Sequence, residues 1–80
     1  MELTIKSLNI GAFDYISEVL GEHWFNECRD FYEDGVEVCD VSVNIEQVKI
    51  EVICGEEVYL SIGERICRLE REDFLEITIF

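Results

Sequence analysis

A chain of 80 residues with 19 Asp and Glu against 6 Lys and Arg carries a formal net charge of −13, yet 49% of it is hydrophobic. The apolar content excludes an acidic disordered tail, which combines high charge with low hydrophobicity. The charge excludes direct binding to nucleic acid or an anionic membrane, since both need Lys or Arg against phosphate.

Along the chain, Leu3 and Ile5 alternate with Thr4 and Lys6, the period of a short first strand. Ser7 or Asn9 is positioned to cap a helix by accepting from a first-turn N–H. Ile10, Phe13, Ile16, Val19 and Leu20 follow at i, i+3, i+4 spacing, the apolar stripe of an amphipathic helix, and Gly21 interrupts it. Trp24, Phe25, Cys28, Phe31 and Tyr32 predict a second helical stretch ending at Asp34-Gly35, so that two helices or one bent helix span roughly residues 9–33.

From Val36 the period becomes 2, with a phase slip at Val38-Cys39 that suggests a β-bulge. Strands are expected over 36–43, 48–54, 58–62, 66–69 and 75–79, with Gly55-Glu56 as a hairpin turn and a break at Gly63-Glu64. The expected fold is α+β: β-α-(α)-β-β-β-β, an antiparallel meander of four to five short strands with a helical segment packed on one face. It forms a single compact acidic domain over residues 1–80. The last strand, ending at Phe80, is a candidate open edge, compatible with a monomer or a homodimer.

No apolar run reaches the ~18 residues of a membrane span. Met1-Glu2-Leu3-Thr4-Ile5-Lys6 has neither the basic nor the apolar stretch of a signal peptide, so the expected compartment is the cytoplasm. Cys28, Cys39, Cys54 and Cys67 form no Cys-x-x-Cys pair, and each has apolar neighbours. They are expected to be reduced thiols packed in the core, with no metal site and no cofactor. His23 lies four residues from Glu27 but has no second His to complete a ligand set. Asp30 to Gly35 resembles the start of an EF-hand loop, yet its third and twelfth positions are Tyr32 and Val41 instead of oxygen ligands. No nucleophile motif or phosphate-cradling glycine pattern is present, and no catalytic residue is assigned; the chain is not expected to be an enzyme.

The charge is uneven. Residues 14–57 hold thirteen acids against Arg29 and Lys49, while residues 1–13 are balanced and residues 58–80 nearly so. Asp14, Glu18 and Glu22 recur every four residues, a like-charge spacing that weakens an isolated helix. Glu27, Asp30, Glu33, Asp34, Glu37 and Asp40 continue the acidic run, with Arg29 the only base among them. A row of carboxylates a few ångströms apart imitates the charge spacing of a phosphate backbone. These nine acids are therefore the candidate partner-binding residues.

In its profile of compactness, strong acidity and absence of proline, the whole chain resembles two groups of small inhibitors. One comprises phage-encoded anti-defence proteins, including anti-CRISPRs and nucleic-acid mimics. The other comprises immunity proteins that neutralise basic nuclease toxins. The resemblance is compositional, and it implies a partner that is a basic nucleic-acid-binding protein or ribonucleoprotein complex. The competing expectation is a non-catalytic structural or adaptor module whose charge serves solubility.

Overall fold

The computed structural model describes residues 2–8 and 10–80, the side chain of Ile10 excepted. The strands are β1 (Leu3–Ser7), β2 (Phe25–Glu33), β3 (Val36–Val43), β4 (Lys49–Ile53), β5 (Glu57–Ile62), β6 (Arg65–Leu69) and β7 (Glu76–Ile79), with one short helix, α1 (Asp14–Leu20). The α+β class with a helix packed on a sheet is as the sequence predicts. The strands, however, form two antiparallel sheets ordered β2-β3-β1-β7 and β4-β5-β6, in place of one meander. No helix among the described residues is long and apolar enough to cross a membrane.

Both sheets and α1 contribute to one apolar core. Leu3, Ile5, Cys39, Val41 and Val43 come from the first sheet, Val58, Leu60, Cys67 and Leu69 from the second, and Phe13, Ile16 and Leu20 from the helical segment. α1 packs against β6. A 3-10 turn over Ile10–Phe13 leads into it, and no side chain caps its start. Ser7 instead ends β1 buried, with its hydroxyl donating to the Asp73 carbonyl at 3.4 Å. Asn9, the other expected cap, lies outside the described residues.

Gly21 stops α1. Its N–H donates to the Ser17 carbonyl at 2.9 Å, and its φ of 85° and ψ of 176° define a conformation essentially confined to glycine. A Cβ there would meet only Arg65 Nη1, at an ordinary 3.6 Å. Gly21→Ala is therefore expected to cost about 1–3 kcal/mol through backbone strain alone. Urea unfolding should show this as a lower midpoint with an unchanged slope; an unchanged midpoint would mean the segment relaxes freely.

The largest correction falls on residues 25–33. They form β2, paired along its length with β3, and not a second helix. Asp34 and Gly35 have φ of 52° and 80°, the pair of positive values that a two-residue type I′ hairpin turn requires. The turn folds β2 back onto the strongly β-forming Val36-to-Val43 segment, and that long-range pairing overrides the short apolar period of 3–4. The phase slip at Val38-Cys39 is not a bulge, because the β2–β3 ladder runs unbroken through it. Both residues are buried, on opposite faces of the strand: Cys39 belongs to the core, and Val38 lies opposite Phe31. The register irregularity lies instead between Phe25 and Glu27.

Candidate functional site

The nine candidate acids do not form one helical row. Asp14 and Glu18 are exposed one turn apart on α1, but Gly21 ends the helix, and Glu22 belongs to a separate 3-10 turn over Glu22–Trp24. Glu27, Asp30, Glu33, Asp34, Glu37 and Asp40 all lie on the β2–β3 hairpin, whose first strand forms an edge of the four-stranded sheet. The fold thus brings six of the nine together on a two-stranded ribbon.

Strand alternation divides the ribbon's acids between its faces. Register places Glu27, Arg29, Phe31 and Glu33 opposite Ser42, Asp40, Val38 and Val36 on the outer face. Asp30 and Glu37 share the other face with Cys28, Tyr32, Cys39 and Val41, and Asp34 occupies the turn.

The outer face is partly neutralised. Lys6 Nζ on β1 lies 3.2 Å from Glu33 Oε2 and 3.8 Å from Glu76 Oε2, and Arg29 Nη2 lies 3.5 Å from Asp40 Oδ2. Both cations also stand over the Phe31 ring, at 5.7 and 5.5 Å from its centroid. The hydrogen bond to Glu33 is the main cause holding the Lys6 pKa above its ordinary value. Asp40 is half-buried, and its Oδ1 has no hydrogen-bond partner among the described residues. Glu27, Asp30, Asp34 and Glu37 are exposed and form no ion pair among the described residues. Those four leave the ribbon its uncompensated charge.

The thiols divide evenly. Cys39 and Cys67 are buried as expected, and burial raises the Cys67 pKa. Cys28 and Cys54 are exposed, contrary to the expected core packing, because Cys28 lies on an edge strand and Cys54 in the β4–β5 turn. Cys28 Sγ and Cys39 Sγ are 3.1 Å apart, and the donor atoms of Cys28, Asp30 and Cys39 all lie within 4.8 Å of one another. Spacing along the sequence conceals this set, since a cross-strand cluster depends on the hairpin register. His23 is exposed in the 3-10 turn, where its carbonyl accepts from Asn44 Nδ2 at 3.3 Å.

No protein-family model matches the chain, and no curated protein or solved structure matches it significantly.

Proposed function

We propose that the chain is a non-catalytic inhibitor that sets its acidic β2–β3 ribbon into the nucleic-acid-binding groove of a basic protein or ribonucleoprotein complex. The observation carrying this reading is the ribbon itself, with six carboxylates against Arg29 alone and four of the acids unpaired among the described residues. Residues 36–38 of β3 pair with β2 alone, so the turn end of the hairpin is two strands wide, a width that a nucleic-acid groove accommodates. Uncompensated charge along it would steer association and make it sensitive to salt. Anti-defence proteins of phage and immunity proteins against nuclease toxins both use such a partner, and the identity of the captured protein separates them.

The test is capture from bacterial lysate by the wild-type chain and by the triple variant Glu27→Gln, Asp34→Asn, Glu37→Gln. An exposed charge pair is worth about 1 kcal/mol or less. Removing three is expected to weaken capture roughly 10–100-fold and to flatten its salt dependence. Excess duplex DNA should compete, whereas Asp14→Asn with Glu18→Gln on α1 should have little effect. Capture that persists in the triple variant at several-fold higher salt, and ignores DNA, would exclude the reading.

A further inference from the structure

We propose that Cys28, Asp30 and Cys39 form a binding site for a thiophilic divalent cation of the zinc class, with its remaining coordination position open to solvent. The cluster joins Asp30, one of the ribbon's four unpaired acids, to two thiols and uses none of Glu27, Asp34 or Glu37. It lies on the opposite face from Glu27 and Glu33, across the hairpin where Asp30 is the direct register partner of Cys39. Its donors are two sulfurs and a carboxylate oxygen, a set that suits zinc and disfavours magnesium or calcium, which take oxygen alone.

The geometry fits a shared ion. Two sulfurs bound tetrahedrally to one zinc at ~2.3 Å stand about 3.8 Å apart. The observed 3.1 Å between unbonded sulfurs needs only a small opening to reach that value, within the 4.8 Å span of all three donor atoms. A disulfide suits the pair less well. Cys28 faces Val41 while Cys39 faces Asp30, so the two cysteines are diagonal neighbours. Diagonal Cα atoms lie about 7–8 Å apart, beyond the usual reach of a disulfide. A disulfide would also give Asp30 no role, whereas a cation uses it.

On binding a divalent cation both thiols lose their protons to solvent, the sulfurs and the carboxylate bind the metal, and the cluster's three negative charges face two positive ones. Cys39 comes from the core, while Cys28 and Asp30 are exposed, which gives the ion a path from solvent. Three protein ligands with one open position is the coordination of a reactive or exchangeable zinc site, in contrast to the closed four-ligand structural kind.

The experiment uses the reduced full chain, titrated with Co²⁺ and with Zn²⁺. One equivalent of Co²⁺ should produce a thiolate-to-cobalt charge-transfer band that Zn²⁺ abolishes, with proton release on binding. Cys28→Ser should weaken Zn²⁺ binding roughly 100-fold or more and Asp30→Asn roughly 10-fold, while Cys54→Ser leaves it unchanged. Both Cys28 and Asp30 are exposed, so their variants should fold, and circular dichroism would verify this. Zn²⁺ should also slow alkylation of Cys28 but not of Cys54. A band independent of Cys28 and Asp30, binding without 1:1 stoichiometry, or equal protection of Cys28 and Cys54 would overturn the proposal. So would formation of a Cys28–Cys39 disulfide under mild oxidation at a rate unaffected by Zn²⁺.

Discussion

Trp24→Ala is expected to be the most damaging single substitution in the chain, with a urea midpoint far below that of the wild type. Trp24 is fully buried, its ring centroid 6.0 Å from that of Phe13 and 5.2 Å from that of Phe25 in an edge-on arrangement. Its indole Nε1–H donates to Ser17 Oγ at 2.8 Å, joining the start of β2 to α1. Its carbonyl accepts from the Asn44 N–H at 2.8 Å, joining the same point to the end of β3. Truncating a buried Trp costs about 3–5 kcal/mol. Stabilities of about 0.05–0.15 kcal/mol per residue give a chain of this length roughly 4–12 kcal/mol in all. The loss therefore consumes a large share of the margin, and most of it at the lower end. Trp24→Phe keeps a ring in the pocket and loses the donor, and is expected to cost about 1–3 kcal/mol. Urea unfolding followed by far-ultraviolet circular dichroism ranks the three proteins. A Trp24→Ala midpoint close to that of the wild type would show that the core closes without this side chain.

The strands after Val36 were legible because their signal is local. Alternation with period 2, with Gly55 and Gly63 marking the β4–β5 and β5–β6 turns, places β3 to β7 within a residue or two of where they lie, and the helical stripe of Phe13, Ile16 and Leu20 is equally plain. Residues 25–33 read as helix because Phe25, Cys28 and Phe31 recur at a spacing of three, and what overrides that period is pairing with β3, whose partners lie three to eighteen residues away. The deciding local signal was Asp34-Gly35, which resembles a helix end and is also the strongest short hairpin signal. Taken as a two-residue turn, it sets the whole register: partner numbers sum to a constant from Glu33↔Val36 back to Glu27↔Ser42. That register puts Asp30 opposite Cys39 with Cys28 on the same face, so the thiol–carboxylate cluster follows from the turn although no spacing motif announces it. The division into two sheets was not legible, since nothing in β4 to β6 says that their ladder stops short of β1.

The location of the charge was legible, and its shape was not. The acidic segment is where the sequence puts it, but a helix would have arrayed the acids in one row, whereas the ribbon splits them between two faces and a turn. Lys6 compensates part of one face from β1, a contact that needs Lys6 and Glu33 to be brought together across 27 residues of sequence.

This distribution makes a second large effect calculable in sign: salt should stabilise the protein. The opposing influences are the ion pairs, which salt weakens, and the repulsion within a net charge of −13, which salt relieves. Among the described residues the pairs are Lys6 with Glu33 and Glu76, Arg29 with Asp40 and Arg68 with Glu57, at 3.2–3.8 Å. All involve exposed or half-exposed groups, worth about 0–1 kcal/mol each. The radius of gyration is 12.1 Å, and two unit charges about that far apart in water repel by roughly 0.3 kcal/mol without screening. Thirteen net charges make many such pairs, and unfolding relieves much of their repulsion by expanding the chain. Repulsion therefore outweighs the ion pairs. Raising NaCl from about 0.01 M to about 1 M shortens the Debye length from ~30 Å to ~3 Å. The expected gain is about 1–2 kcal/mol, a rise in the thermal midpoint of roughly 5–15 °C. The triple variant lacking the Glu27, Asp34 and Glu37 charges should begin with a higher midpoint at low salt and rise less steeply. A midpoint that falls with salt in the wild-type chain would mean that its ion pairs outweigh the self-repulsion, and the acidic ribbon would then carry no stored repulsion for a basic partner to relieve.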